Sequence, residues 1–253
     1  MPAASTAALP PARLLTPLLA RAWDLCLALV RSPQPDSAAD SPPSTPWRQY
    51  WGETYGPDLK KWLLKPLFDD LEKSDRLGGI IIDAGSGAHP VTQLLAPKPA
   101  RRRILIDIAA DESCSPDALR LRLDVEKVTQ PHSLTLRRAI IRARRFLPAS
   151  AAAADTIIFS DLLNYVDFRA VLAGASRFLK PGGRFIIVNL PIRGNQSLFS
   201  ERGLKDNHHL YAFLDHHHFQ IEHKSFPCRP RGATDESEEL IILVARKPLT
   251  PAD

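Results

Sequence analysis

Cysteine is scarce in this sequence, with only Cys26, Cys114 and Cys228 among 253 residues. The three are far apart and form no Cys-x-x-Cys pair, which argues against a disulfide framework and against a zinc site. We therefore expect a chain from a reducing compartment, the cytoplasm, that holds no metal ion.

The sequence also has no unbroken apolar run of about 18 residues, the length at which a membrane-spanning helix is indicated. We therefore expect no transmembrane segment. Hydrophobic residues nevertheless make up 44% of the chain, enough to bury a substantial core. The length suits one catalytic domain of roughly 200 residues, acting as a monomer or a homodimer.

Residues 11–31 carry apolar side chains at helical spacing, whereas Arg21, Asp24 and Arg31 fall on another face. This pattern predicts an amphipathic helix. The helix docks on the rest of the chain, acts as an interfacial or targeting segment, or forms a dimer contact, and the sequence leaves all three open. The following stretch up to residue 46 is rich in Pro, Ser and Ala and indicates a linker, so that residues 1–46 form a first segment.

Aromatic residues concentrate just after this linker, since residues 47–62 hold three of the four tryptophans and two of the four tyrosines. We predict a helical cap or lid over residues 47–77. A flat apolar ring with a polar tip suits the rim of a cleft, which makes Tyr50, Trp51 and Tyr55 candidates for binding an acceptor. The alternative is that these rings pack the segment onto the domain.

A run of β-branched residues, Ile80 to Ile82, leads to Asp83 and then to Gly85 and Gly87. The run predicts a strand buried on both faces, and the glycines let the chain turn sharply and pass close under a ligand. A dinucleotide fingerprint would need a third glycine where this chain has Pro90, which argues against NAD.

The next predicted strands also end in polar side chains. The second ends at Asp107, where an acid can accept hydrogen bonds from both ribose hydroxyls of an adenosine. The third ends at Asp124, which is suitably placed for the exocyclic amine of adenine. The fourth, residues 155–160, leads into Asn164 and Tyr165. Since parallel strands end at the same edge of a sheet, these side chains are expected to meet there.

In these segments the sequence resembles the class I S-adenosylmethionine (SAM) dependent methyltransferases, and within them the broad small-molecule group. The motifs that carry the resemblance occur in family order over residues 79–188, namely Asp83-x-Gly85-x-Gly87, Asp107, Asp124, residues 155–165 and Leu179-Lys-Pro-Gly-Gly-Arg184. One departure is His89, where the family often has a third glycine.

The resemblance implies an α/β, doubly wound sheet of seven mostly parallel strands in the order 3-2-1-4-5-7-6. It places the SAM-binding domain at residues 78–248, with final strands at 219–226 and 240–246. It also implies SAM as the cofactor. The implied cofactor-binding residues lie at the strand ends and are Asp83, Gly85, Ser86, Gly87, Asp107, Ile108, Asp124, Val125, Ser160, Asp161 and Leu162.

The activity implied is transfer of a methyl group to O, N or C of a small-molecule acceptor by in-line displacement. Residues 160–163 lack the N/D-P-P-Y/F motif of adenine and glutamine methyltransferases, and no Pro-Cys pair follows the fourth strand, as cytosine-5 methylation would need. Asn189-Leu190 stands where metal-dependent catechol-type enzymes carry Asp-Asn. The acceptor is therefore a small molecule by default.

Two other functions stay open. One is a SAM-binding protein of this fold that does not methylate. The other is an RNA or protein methyltransferase that uses an arginine-rich segment, residues 137–145. Aromatic residues that would stack on bases are missing beside these arginines, so a solvated surface is favoured over a nucleic-acid partner.

Methyl transfer from a sulfonium depends mainly on alignment, and a general base is optional. A histidine would suit a hydroxyl acceptor. The segments after the fourth and fifth strands supply His208, His209 and Tyr165 as candidate catalytic residues. Asn164 and Tyr211 join the three aromatic candidates of the cap as acceptor-binding residues.

Overall fold

The computed structural model describes residues 57–87, 89–109, 111–131, 133–147, 153–189, 199–226 and 239–249, with side chains from Leu64 onward. The chain divides into two units, residues 1–40 and 41–253, and every described residue belongs to the second. The predicted amphipathic helix, the linker, and the cap residues Tyr50, Trp51 and Tyr55 lie outside the described residues. The domain boundaries predicted there stay predictions.

The described residues form an α/β structure built on a single sheet. The strands are β1 (Ile80–Ala84), β2 (Arg102–Asp107), β3 (Ser113–Cys114), β4 (Ala118–Arg122), β5 (Ala154–Ser160), β6 (Leu179–Asn189), β7 (Gln220–Ser225) and β8 (Ile241–Arg246). The helices are α1 (Pro57–Lys73), α2 (Val125–Thr129), α3 (Leu134–Phe146), α4 (Phe168–Ser176) and α5 (Asn207–His216), with a 3₁₀ turn at Val91–Leu94.

The strands lie in the order β3-β4-β2-β1-β5-β6-β8-β7. The five strands from β4 to β6 in this order are parallel, whereas β8 runs antiparallel to both β6 and β7. Without β3 the order is the predicted 3-2-1-4-5-7-6, so the doubly wound α/β fold is confirmed. The eighth strand was not predicted because Ser113–Cys114 is only two exposed residues long and carries no hydrophobic pattern.

Helix α1 covers one face of the sheet. Its buried residues Leu64, Phe68 and Leu71 recur at a spacing that puts them on one side of a helix. They pack with Ile81 of β1 and Ile158 of β5. Helix α1, which falls in the predicted cap, is therefore a layer of the core from Leu64 on, and a lid formed by residues 47–56 stays a prediction.

Helices α2 to α5 cover the opposite face. Successive side chains of a strand alternate between faces. Ile80 therefore packs with the apolar residues of α2 to α5, whereas Ile81 faces α1. Leu172 of α4 and Leu210 and Leu214 of α5 are fully buried in this layer. The sheet is thus buried between two apolar layers, which leaves its strand ends as the place for polar chemistry.

Asp155 joins the starts of three central strands. Its Oδ2 accepts hydrogen bonds from the backbone amides of Gly79 at 3.0 Å and Ile80 at 2.8 Å, and its Oδ1 pairs with Lys180 at 2.7 Å. These bonds hold the starts of β1, β5 and β6 in register. The three strands then run side by side toward the opposite edge of the sheet.

No described helix combines the length and the apolar character that crossing a bilayer requires.

Candidate active site

The turn after β1 has the conformation that its glycines predict. Gly85 and Gly87 have φ angles of 72° and 60°, in the left-handed region that side chains disfavour. A Cβ at Gly85 would lie 2.9 Å from a methyl carbon of Leu162, whereas a Cβ at Gly87 would meet no atom of the described residues within 4 Å. Gly85 is therefore needed for packing, whereas the space around the Cβ position of Gly87 is not filled by any described residue.

Asp107 links this turn to the end of β2. Its Oδ2 accepts a hydrogen bond from the amide of Gly87 at 2.9 Å, and its Oδ1 accepts one from the amide of Ala109 at 2.7 Å. The amides of Gly85 and Ser86 both donate to the carbonyl of Ile106, at 2.8 and 3.1 Å. Each carboxylate oxygen keeps a second lone pair, so Asp107 can still accept ligand hydroxyls.

Asp83 lies fully buried below the turn. Its Oδ2 accepts hydrogen bonds from the amide of Thr92 at 3.3 Å and from its hydroxyl at 3.1 Å. This carboxylate therefore ties the end of β1 to the 3₁₀ turn. Sequence analysis missed Thr92, because nothing in the pattern marks a threonine nine residues downstream as a partner of Asp83.

Asp124 caps helix α2. The strand before it ends at Arg122, and Asp124 Oδ1 accepts a hydrogen bond from the amide of Glu126 at 2.9 Å. The backbone amide of Leu123 donates to the carbonyl of Asp107 at 3.1 Å, which brings this segment beside the β2 loop. Val125 is buried in the core behind it. The acid predicted for adenine thus stands at the same edge as Asp107.

The segment after β5 contacts the glycine turn directly. Asp161 has a φ angle of 53°, uncommon for a residue with a side chain, and its amide donates to the carbonyl of Val188 at 2.8 Å. This bend directs Leu162 against Gly85. Ser86 and Ser160 are buried nearby, and their hydroxyls make no hydrogen bond with any described residue. A buried hydroxyl in this situation normally has a ligand or a water molecule as its partner.

Two buried asparagines meet farther along the same edge. Asn189 Nδ2, at the end of β6, donates to Asn164 Oδ1 at 2.8 Å. The neighbouring Tyr165 packs edge-to-face against Phe199, with ring centroids 5.1 Å apart. Sequence analysis proposed Asn164 and Tyr165 but noted Asn189 only as a departure from metal-dependent enzymes, because pairing between the ends of two strands is a tertiary property.

The candidate histidines point to different surroundings. Both are exposed at the start of α5, where Asp206 Oδ1 accepts a hydrogen bond from the amide of His208 at 2.7 Å. The ring of His208 contacts Tyr211, with centroids 5.9 Å apart. His209 instead lines a surface cavity of about 610 Å³ between α4 and α5, together with Asp167 and others. The two histidines are therefore separate candidates rather than a pair.

Tyr211 lies toward the far side of the sheet. The ammonium of Lys224, on the edge strand β7, sits 5.1 Å from the centre of its ring. Four steps along the sheet separate β7 from β1, and neighbouring strands lie about 4.8 Å apart. The structure thus brings together the candidates of the β1, β2, β4 and β5 loops and pairs Asn164 with Asn189, whereas Tyr211, beside β7, lies away from the β1 and β2 loops.

Histidines outside the candidate set have altered proton affinity. Burial lowers the pKa of His223, with a smaller further lowering from the charge of Arg76 against an opposing effect of Asp70. Burial also lowers the pKa of His217, and the neighbouring His216 and His218 add to the effect. Within the described ranges no three His, Cys, Asp or Glu side chains are arranged to hold a metal ion.

No protein-family model matches the chain, and no curated protein matches it in sequence. Solved structures do match its fold. The 1,6-didemethyltoxoflavin-N1-methyltransferase of Burkholderia thailandensis, with 1,6-didemethyltoxoflavin and S-adenosylhomocysteine bound, has a TM-score of 0.50 at 17% identity, over 94% of this chain and 93% of that one. The N-methyltransferase NodS of Bradyrhizobium japonicum WM9 has a TM-score of 0.46 at 14% identity, over 76% and 98%.

These identities are too low to carry an activity from one protein to another, but the first likeness extends over nearly the whole of both chains. It is consistent with the α/β sheet and its strand order. The chain has the fold of the class I SAM-dependent methyltransferases.

Proposed function

We propose that this chain is a SAM-dependent methyltransferase that acts on a small-molecule acceptor. The observation that supports this most directly is the hydrogen bond from the Gly87 amide to Asp107 Oδ2. It brings a carboxylate beside a turn where no described residue fills the space at the Cβ position of Gly87, at the edge where open parallel sheets bind ligands.

The residues present suit the cofactor. Asp107 has lone pairs left for the ribose hydroxyls, and Asp124 Oδ2 makes no hydrogen bond among the described residues, which leaves it for an adenine amine. The buried hydroxyls of Ser86, after β1, and Ser160, at the end of β5, form no hydrogen bond with a described residue. When bound, SAM supplies a methyl carbon attached to a positively charged sulfur, which is an electrophile ready for displacement.

The protein's own part is alignment. The loops after β1, β2 and β5 are tied to one another by backbone hydrogen bonds and by the contact of Leu162 with Gly85, so they hold one geometry without a ligand. Asn164 and Tyr165 stand beside these loops and are the described candidates for orienting the acceptor. Holding two reactants in a productive orientation can account for about 7–11 kcal/mol of a barrier.

A general base is an addition to this mechanism. Tyr165 lies nearest in the chain to the cofactor loops, and His208 and His209 stand at the start of α5. Because the two histidines face different surroundings, their single replacements by Asn should differ in effect. Loss of a true base should lower kcat by about 10²–10⁴-fold, whereas loss of a surface histidine should leave kcat unchanged.

The proposal of a small-molecule acceptor has two supports. The sequence lacks the motifs of the amide, adenine and cytosine methyltransferases. A solved methyltransferase whose likeness extends over nearly the whole of both chains was crystallised with a small molecule, 1,6-didemethyltoxoflavin.

Calorimetry with SAM and with S-adenosylhomocysteine tests the first half of the proposal, and failure to bind either would overturn it. Incubation with methyl-labelled SAM and a panel of hydroxyl, amine and ring-nitrogen acceptors, followed by mass spectrometry, tests the second half. Label in a small molecule supports the proposal. Binding with no transfer to any acceptor class would favour a SAM-binding protein that does not methylate, and label in RNA or protein would favour a macromolecular acceptor.

A further inference from the structure

Helix α3 has a charge distribution that the proposed function does not use. Its thirteen residues include five arginines and no acid. The arginines are Arg137, Arg138, Arg142, Arg144 and Arg145. From the sequence alone this segment is indistinguishable from a solvated basic surface.

The structure adds two exposed aliphatic side chains to this helix. Leu134 is 65% exposed and Ile141 is 37% exposed. Only four large hydrophobic residues among those described are exposed, and the other two, Ile221 and Leu249, lie on other elements. Leu134 and Ile141 are seven residues apart, about two helical turns, and therefore share one face.

The arginines flank this aliphatic line on both sides. At about 100° per residue, Arg138 and Arg145 fall within about 40° of Leu134 on one side, and Arg137 and Arg144 fall about 60–80° away on the other. The opposite face holds the buried Ala139, with Leu136 and Ala143 packed against the core. The aliphatic line is thus the centre of the outward face.

This arrangement distinguishes among three possible surroundings of a basic helix, namely solvent, a phosphate backbone and a membrane surface. A face that only kept the protein in solution would need no exposed leucine or isoleucine at its centre. A face that bound a phosphate backbone would place cations there. Aliphatic side chains at the centre with arginines on each side fit a membrane surface, since the aliphatics enter the acyl boundary and the arginines reach outward to anionic headgroups.

We propose that α3 docks this protein on an anionic membrane surface. The helix is about 20 Å long and lies in the plane of the interface rather than across it. Its arginines are attracted by the negative potential of anionic lipids, and Leu134 and Ile141 supply the apolar contact. The ion pair between Arg142 and Glu112 anchors the helix to the segment that precedes β3.

Co-sedimentation of the full chain with lipid vesicles tests the proposal. The chain should bind phosphatidylcholine vesicles that contain about 30% phosphatidylglycerol, should not bind pure phosphatidylcholine, and should be released as salt rises. The double variant Leu134→Ser/Ile141→Ser should bind these anionic vesicles at least about tenfold more weakly than the wild type. The matched control Ile221→Ser/Leu249→Ser removes two equally exposed aliphatics elsewhere and should bind as the wild type does.

Circular dichroism and melting curves establish that each variant is folded, and the wild-type salt dependence is a readout that requires no variant. Absence of binding to anionic vesicles would overturn the proposal. So would an equal loss in the control variant. The double variant Arg138→Gln/Arg145→Gln tests the charge contribution and should also bind anionic vesicles more weakly. Duplex RNA, at a phosphate concentration equal to that of the vesicles, is measured as the competing ligand. Tighter binding to RNA than to vesicles, with no effect of the serine substitutions, would assign α3 to nucleic acid instead.

Discussion

The backbone amide of Gly87 donates a hydrogen bond to Oδ2 of Asp107 at 2.9 Å, which joins the loop after β1 to the loop after β2. The carboxylate also holds its own loop through the amide of Ala109. Asp107 therefore organises the glycine turn, and its replacement would affect both this turn and the proposed contact with the ribose.

We expect Asp107→Ala to bind SAM at least about tenfold more weakly, because hydrogen bonds to a charged group contribute about 1.5–3 kcal/mol each. Asp107→Asn keeps one oxygen acceptor and should fall between the alanine variant and the wild type. Calorimetry measures both. Asp117→Asn, at the start of β4, removes an exposed carboxylate that pairs with Arg103 and should leave SAM affinity unchanged. Wild-type affinity in Asp107→Ala would contradict the ribose assignment.

Gly87→Val should abolish SAM binding while the protein stays folded. A Cβ at this position meets no atom of the described residues within 4 Å, so the expected cost to stability is that of the left-handed backbone, about 1–2 kcal/mol. Gly182→Ala is a control for a side chain at positive φ, since Gly182 has a φ of 74° and lies at the opposite end of the sheet, although its new Cβ would lie 2.8 Å from a methyl carbon of Leu249, which must shift. Tight SAM binding by Gly87→Val would mean that the cofactor lies elsewhere.

Thr92→Val should destabilise the protein by about 1–3 kcal/mol, because it leaves a buried carboxylate without one donor. The hydroxyl of Thr92 lies 3.1 Å from Asp83 Oδ2. Thr92→Ser keeps the hydroxyl and should retain most of the stability. Urea unfolding curves compare the two variants, and equal stabilities would show that the hydroxyl contributes nothing.

The free energy of unfolding should decrease as the pH falls through about 6.5, the ordinary pKa of histidine. Burial lowers the pKa of His223 in the folded chain, so the unfolded chain binds more protons in this range, and acid favours unfolding. His223→Gln should make the dependence less steep in urea unfolding between about pH 5.5 and 7.5. An unchanged slope in that variant would rule out this contribution.

The predicted lid can be tested with a fragment that starts at residue 57. This fragment keeps Leu64, Phe68 and Leu71, which pack against the sheet, and should fold with the circular dichroism of the parent domain. It lacks Tyr50, Trp51 and Tyr55 and should lose turnover more than SAM affinity, because exclusion of water from the acceptor would be lost. Full activity of the fragment would disprove the lid.

The fold was predictable because its signals are local. Ile80 to Ile82 followed by Gly85 and Gly87 indicate a buried strand and a turn whatever surrounds them, and the observed φ angles agree. The final strands were predicted at 219–226 and 240–246 and are found at Gln220–Ser225 and Ile241–Arg246. The two-residue β3 has no such signal and forms only because β4 offers it an edge.

The candidate site also combines residues that could be predicted with contacts that could not. Asp107 was predictable because an acid at the tip of a second parallel strand has a defined place, whereas its bond to Gly87 depends on how two loops meet. The partners of Asp83 and Asn164, namely Thr92 and Asn189, come from other segments and were not predicted.

Local sequence patterns were enough to predict the individual strands, the glycine turn and the acids at the strand ends, since hydrophobic period and glycine conformation act over a few residues. The order of the strands was implied by the resemblance to class I methyltransferases. Three features depend on how distant segments pack: which polar groups pair, the different surroundings of His208 and His209, and the exposure of Leu134 and Ile141 between arginines on α3. The physical reason is that burial and hydrogen-bond partners depend on distant segments, which the pattern of any one segment does not contain.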